Sequence, residues 1–236
     1  MQSFALTILA LVSLGAAETK ATKSDPATSK GRRLFFDASL GKNGVACSDC
    51  HSNVEDEASQ GDGRIRAGHT LYGVAGRPYW RGDGRRTSFP TLRKAIDACV
   101  TIFQGGSPLP AEDSLRLAAY LESISPRKGQ PPITLEPALE AGLDYDRDKY
   151  RGGDPGKGRE LFFAACHSCH PAGRAGLGPA IIGKTVPEIA LKVREGNGLL
   201  RGNRPAGAFA PFFGKDRLSD AQVADIAAYA STLTKD

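Results

Sequence analysis

The chain has 236 residues, of which 40% are hydrophobic and 24% are charged, and its formal net charge is +5. These proportions are ordinary for a globular protein and exclude bulk disorder, and the length leaves room for two modest cores. The 28 glycines and 15 prolines indicate short elements and many loops. Nucleic-acid binding is not expected, because the basic residues form no recognisable module with interleaved aromatic residues.

The first residues form a short apolar stretch, Phe4 to Ala17, that ends in small residues and is followed by a polar segment. This pattern predicts a secretory signal peptide over residues 1–17. No Lys or Arg precedes the stretch, so an uncleaved membrane anchor is the alternative, although the run is below the roughly 20 residues that span a bilayer. We therefore expect a periplasmic or otherwise exported protein, associated with a membrane only if this segment is retained.

The sequence contains the same unit twice. Gly31 to Phe36 (GRRLFF) precedes one Cys-x-x-Cys-His motif, and Gly158 to Phe163 (GRELFF) precedes a second; an Ala-Tyr helix pattern closes each unit. A fixed order of motif, loop and final helix, repeated at domain length, indicates duplication. We predict domains at residues 30–125 and 156–236, joined by a linker over residues 126–155 that contains Pro-Pro and Gly-Gly.

Helical periodicity dominates both units, and no segment alternates with period two, so we predict an all-α fold. In the last helix, Ser219 is the expected N-cap. The other predicted helices are Lys30 to Phe36, Thr91 to Phe103, Asp113 to Leu121, Gly156 to Ala165 and Pro187 to Glu195.

The two motifs are Cys47/Cys50/His51 and Cys166/Cys169/His170. Two thiols on one helical turn can reach the two vinyl groups of a porphyrin, and the adjacent His can bind its iron. A zinc site would need Cys pairs about 12 to 20 residues apart, and a thioredoxin-like dithiol would need a βαβ setting. The sequence therefore predicts two covalently attached c-type hemes.

The second unit resembles the class I cytochrome c family over Gly156 to Thr234, through its motif, the following Gly178-Pro179 and the C-terminal helix. The resemblance implies two cytochrome c-like helical domains, the first more divergent. It also implies that Pro179 packs beside His170 and that its carbonyl group fixes the imidazole proton. His167, inside the motif, is expected on the surface.

The second unit departs from that family where a methionine usually supplies the second axial ligand. The loop reads Gly207-Ala-Phe-Ala-Pro-Phe-Phe-Gly214, and the only methionine is Met1. Neither heme then has a Met ligand in the exported protein, and a thioether ligand is what normally raises a heme's potential. The second iron is either open or bound by Lys215, Lys192 or a His of the other unit.

Two residues, Cys99 and His69, are candidates for the sixth ligand of the first iron. Cys99 lies on a predicted helix with its side chain towards the protein interior, where it could simply be a small buried hydrophobic residue. It is, however, the one cysteine left without a partner once four thiols hold hemes. The stretch Leu92 to Ser123 resembles thiosulfate dehydrogenases and the A subunits of sulfur-oxidising cytochrome complexes. That resemblance implies Cys99 as an iron ligand.

These features predict electron transfer between redox partner proteins. The alternative is an oxidoreductase that acts on a small sulfur anion such as thiosulfate through a Cys99-ligated heme, with a run of arginines holding the anion. A diheme peroxidase or a ligand sensor is a minor alternative, because Gly31 to Cys50 also resembles the opening of diheme cytochrome c peroxidases. The arginine run could equally be a solvated loop whose side chains pair with heme propionates. It comprises Arg64, Arg66, Arg77, Arg81, Arg85 and Arg86.

Overall fold

The computed structural model describes residues 25–55, 61–77, 80–81, 88–125, 147–196 and 211–234. Its α-helices are α1 (Pro26–Phe35), α2 (Cys47–Cys50), α3 (Leu92–Ala98), α4 (Ala111–Ser123), α5 (Pro155–Ala165), α6 (Val186–Glu195) and α7 (Asp220–Ser231). Three 3-10 turns (Val74–Gly76, Arg147–Tyr150, Pro171–Gly173) and one π-helical turn (Cys99–Phe103) join them. Two-residue strands β1 (Trp80–Arg81) and β2 (Ser88–Phe89) pair antiparallel, and the remaining described residues form turns and loops.

In each unit the first and last helices cross at a glycine. A Cβ atom on Gly31 of α1 would lie 1.9 Å from the carbonyl oxygen of Arg116 in α4. A Cβ atom on Gly158 of α5 would lie 1.9 Å from the carbonyl oxygen of Asp225 in α7. The two helix backbones touch at these points, which only a residue without a side chain allows.

An aromatic pair stabilises each crossing. The rings of Phe35 and Tyr120 have centroids 5.7 Å apart with an interplanar angle of 54°. Their counterparts, Phe162 and Tyr229, are 5.4 Å apart at 58°. Such tilted aromatic pairs contribute about 0.5–1.5 kcal/mol beyond the area they bury. The repeated sequence motif therefore makes the same aromatic contact in both units.

Each unit has its own apolar core, and the two units touch. The first core contains Phe35, Val74, Ile96, Leu117, Ala118, Tyr120 and Leu121. The second contains Tyr150, Phe162, Ile189, Ala190, Phe213, Leu218, Val223, Ala224, Ile226, Ala227 and Ala230. Ile65 and Ala67 of the first unit pack against the second core, so a segment of the first unit crosses to its neighbour.

A buried charged cluster joins the start of the second unit to its later helices. Arg194 is fully buried, and its guanidinium donates hydrogen bonds to Tyr150 (3.2 Å), to the Phe213 carbonyl (2.9 Å) and to Asp220 (2.7 Å). A buried charge is tolerated when it is paired and hydrogen-bonded in this way. Residues 147–155 therefore pack with the second unit, whereas the sequence suggested that they belong to the linker. The rest of that linker, residues 126–146, lies outside the described residues.

Two helices differ most from their predicted bounds, and the others differ by no more than two residues at either end. α1 begins at Pro26 rather than Lys30, since proline fits the first turn of a helix. The helix predicted from Thr91 to Phe103 is α-helical only to Ala98 and then continues as a π-helical turn. The predicted cap is confirmed, because Ser219 Oγ accepts a hydrogen bond from the backbone N–H of Gln222 at 3.3 Å.

The predicted signal segment, residues 1–17, lies outside the described residues. Among the helices of the described residues, none has the length and apolar character that a membrane crossing requires.

The helix crossing predicts a stability effect. Gly158→Ala would force α5 away from α7, and we expect a loss of about 1–3 kcal/mol, the usual cost of overpacking. Thermal or denaturant unfolding measures this loss. The matched control is Gly156→Ala on the same helix, whose Cβ would meet only the side chain of Asp154 at 3.1 Å. Equal stability of the two variants would contradict the proposed close approach.

Candidate functional site

Each Cys-x-x-Cys-His motif forms one tight helical turn. The backbone N–H of His51 donates to the Cys47 carbonyl at 2.9 Å, and that of His170 donates to the Cys166 carbonyl at 2.9 Å. Residues three apart on such a turn point to the same side, so each pair of thiols can reach one flat group. None of the five cysteines forms a disulfide.

The histidine of each motif is held by a backbone carbonyl group. Nδ1 of His170 lies 2.7 Å from the carbonyl oxygen of Pro179, and Nδ1 of His51 lies 2.7 Å from that of His69. A ring whose Nδ1–H donates to a carbonyl presents Nε2 as its metal-binding nitrogen. Both histidines are therefore oriented to bind a metal through Nε2, and Pro179 lies where the resemblance to class I cytochromes c implies.

A glycine lies against the ring of each of these histidines. A Cβ atom on Gly178 would be 2.3 Å from Cε1 of His170, and one on Gly68 would be 2.3 Å from Cε1 of His51. The same glycines donate their N–H groups to the carbonyls of Cys169 (2.9 Å) and Cys50 (2.8 Å). Gly68-His69 is thus the counterpart of Gly178-Pro179 in the first unit.

The position of His69 was not apparent from the sequence. Its carbonyl group lies on the His51 side of the site, and its ring pairs with Asp216 of the second unit. This pairing already engages the His69 ring through Nε2, which disfavours His69 as the sixth ligand of a heme that the first motif would hold. The partner carbonyl follows the motif His by 18 residues in the first unit and by nine in the second, so no common spacing relates them.

The first motif is enclosed more than the second. Burial lowers the pKa of His51 to about 4, and the positive charge of Arg77 adds to this effect. The imidazole is therefore neutral near pH 7, which is the form that binds a metal. Burial also raises the pKa of the Cys47 thiol to about 11 and that of Cys50 to about 12.

Cys99 lies close to the first motif. Burial raises the pKa of its thiol to about 12, and the second cause is the charge of Cys47, which must therefore be near. Cys99 is the first residue of the π-helical turn, an irregularity that often marks functional sites. Cys99 therefore lies within electrostatic reach of the first motif, and its role as an iron ligand stays a prediction.

Among the side chains that the structure describes in the first unit, two buried polar atoms have no hydrogen-bond partner. They are Oε1 of Gln104 and Nε of Arg77. Gln104 is only 4% exposed, and its Nε2 lies 3.8 Å from the Cys47 sulfur. An unsatisfied buried polar atom costs about 1–3 kcal/mol, so such atoms point to a missing neighbour. Together with the paired thiols and oriented imidazoles, these atoms fit a covalently bound heme.

The second unit gives less information about a sixth ligand. Lys192 Nζ donates to the Gly196 carbonyl at 3.2 Å, and Lys215 lies half-buried in the turn before α7. His167 stacks on Phe163 with ring centroids 4.5 Å apart, and its Nδ1 accepts the N–H of Ala172. Residues 197–210, which include the first half of the loop without methionine, lie outside the described residues. The sixth ligand of the second iron therefore stays a prediction.

The arginines of the run whose side chains the structure describes already pair with other groups of the protein. Arg64 pairs with Asp49 at 3.1 Å, and Arg66, which is 3% exposed, pairs with Asp62 at 2.5 Å. Arg77 donates to the Thr70 carbonyl at 2.7 Å. The side chains of Arg81, Arg85 and Arg86 lie outside the described residues. The described arginines thus do not form an open anion site.

The glycine beside His170 predicts a spectroscopic effect. In Gly178→Ala the new methyl group would displace the imidazole, and we expect loss of His170 as an iron ligand, with a shift of the Soret band towards a high-spin form. Optical spectra of the purified protein measure this shift. Gly76→Ala, whose Cβ would meet nothing within 4 Å, is the control and should leave the spectrum unchanged. A normal spectrum in both variants would contradict the assigned role of Gly178.

Comparison with known proteins agrees with the geometry of the second unit. Residues 153–229, about a third of the chain, match the model of the family described as cytochrome C oxidase, cbb3-type, subunit III. No curated protein matches the chain. The chain therefore contains a cytochrome c domain over residues 153–229, a kind of domain that binds heme c covalently and exchanges electrons with redox partner proteins.

Proposed function

We propose that the chain is an exported diheme c-type cytochrome that transfers electrons between redox partner proteins. The observation that carries the proposal is the shared geometry of the two motifs. In each, a histidine Nδ1 lies 2.7 Å from a backbone carbonyl group and a glycine lies flat against the imidazole. The second motif lies within the cytochrome c domain, and its likeness to the first motif favours heme attachment at both.

The roles of the residues follow from this geometry. Cys47 and Cys50 would form the two thioether bonds of the first heme, and Cys166 and Cys169 those of the second. His51 and His170 would bind the irons through Nε2. A bound heme supplies reversible one-electron chemistry, and the protein adjusts its potential through axial ligands, burial and hydrogen bonds.

The heme count tests the proposal. In a host that exports and matures c-type cytochromes, we expect intact-protein mass spectrometry to give two hemes for the wild type. Cys47→Ala/Cys50→Ala and Cys166→Ala/Cys169→Ala should each retain one, because each removes one pair of thioether bonds. Cys99→Ala is the control and should retain two.

The same spectrum tests export, since a cleaved signal would leave a chain that begins near residue 18. One heme in the wild type, carried at the second motif, would contradict the diheme proposal. A chain that keeps residues 1–17 would contradict cleavage and favour attachment to a membrane.

A second candidate function is oxidation of a sulfur anion such as thiosulfate at a Cys99-ligated heme. The observation that favours it is the nearness of the Cys99 thiol to Cys47, at the start of the π-helical turn. The carboxylate pairing of Arg64 and Arg66 weakens it, because these side chains are already neutralised. Electron transfer between proteins is therefore the first proposal.

Axial ligands distinguish the two functions. If Cys99 binds the first iron, low-temperature electron paramagnetic resonance of the oxidised protein should give a low-spin signal of thiolate type. Cys99→Ala should abolish this signal. His69→Ala, which keeps the backbone carbonyl that holds His51, should retain it. Two nitrogen-ligated low-spin hemes that are unchanged in Cys99→Ala would exclude the thiolate ligand and, with it, the sulfur-anion candidate.

A further inference from the structure

A segment of the first unit, residues 64–69, lies between the two motifs, and we call it the inter-motif segment. Its Gly68 N–H donates to the Cys50 carbonyl at 2.8 Å, which ties it to the first motif. Its Ile65 N–H donates to the carbonyl of Ala164 at 2.9 Å, in the last turn of α5 before Cys166. The segment therefore contacts both heme-attachment regions through its backbone.

Arg64 extends this connection to the two Cys-x-x-Cys loops themselves. Its Nη2 lies 3.1 Å from Asp49 Oδ1, inside the first motif, and 3.3 Å from Ser168 Oγ, inside the second. Ser168 Oγ in turn lies 3.9 Å from the Cys169 sulfur. One guanidinium nitrogen thus stands between the loops that would carry the two hemes.

The neighbours of Arg64 hold it in this position. Arg66 is buried, and its Nε donates to the Ser48 carbonyl at 2.8 Å. Arg217 of the second unit donates to the Arg66 carbonyl at 2.9 Å, and the His69 ring pairs with Asp216. The inter-motif segment is therefore fixed from both units, which restricts the positions that Arg64 can adopt.

Arg64 is only partly exposed to solvent, with 28% of its side-chain surface accessible. Charges in such a position interact partly through protein rather than through bulk water, so their interaction is less screened than that of fully exposed charges.

We propose that Arg64 couples the two heme sites, because its positive charge offsets that of its partner Asp49 and so favours the reduced state at both. The inference rests on the proposed diheme function. A cation beside a redox centre stabilises the form with less positive charge, and therefore raises the reduction potential. Because Arg64 touches both loops, its removal affects both sites, whereas an arginine that served one motif alone would affect one.

The test is a redox titration of the fully loaded protein, with the two hemes distinguished by their electron paramagnetic resonance signals. Arg64→Gln removes the charge but keeps a side chain that can hydrogen-bond, and both midpoint potentials should fall. Arg64→Lys keeps the charge, and both should remain near the wild-type values. Arg93→Gln is the matched control, since Arg93 donates to Ser114 Oγ on α4, and it should change neither potential.

Ser168→Ala is a second variant, at an exposed position. It removes the hydroxyl contacts of the second motif with Arg64 and with the Cys169 sulfur but keeps the charge of Arg64, so both potentials should change less than in Arg64→Gln. A fall confined to one heme in Arg64→Gln, an equal fall in Arg93→Gln, or a fall in Ser168→Ala as large as that in Arg64→Gln would each overturn the coupling.

The heme count separates this inference from the proposed function. Two hemes whose reduction potentials do not change in Arg64→Gln would overturn the coupling but would leave the diheme proposal unaffected. One heme in the wild type would overturn both.

Discussion

The close crossing of the first and last helices constrains the rest of each unit. α5 ends at Ala165 and Cys166 follows it directly, so the contact of Gly158 with Asp225 on α7 determines where the second motif begins. α1 makes the equivalent contact through Gly31, but it ends well before Cys47. The first motif is therefore positioned by its loops as well as by the crossing. Gln104 and the inter-motif segment lie in these loops, next to the motif.

Local patterns could be predicted from the sequence, and contacts between distant segments could not. The repeated GRxLFF letters, the two motifs and the Ser219 cap depend on residues within a few positions of one another, so a spacing rule detects them. The carbonyl that holds His51 follows at a different separation from the one that holds His170, and nothing marks His69 as its source. The bond between Ile65 and Ala164 joins two backbone groups, which leave no signature in the side chains.

The two sites differ in their surroundings although their turns are alike. The first is enclosed by Cys99, by Gln104 and by Arg77, whereas the residues after the second motif are exposed, with Leu177 at 52%. Exposed apolar side chains beside a redox site suit brief contact with a partner protein. Under the proposed function, this exposed surface would suit the second site to contact with a redox partner protein.

The π-helical turn at Cys99 also changes the register of the helix in which the thiol lies. Its i→i+5 hydrogen bonds, such as that from the Gln104 N–H to the Cys99 carbonyl, put more residues into the turn than α-helical bonds do. The residues after Cys99 therefore face other directions than a continuation of α3 would give them. Helical periodicity assumes one constant spacing, which is why it predicts a continuous helix from Thr91 to Phe103 and does not detect the turn.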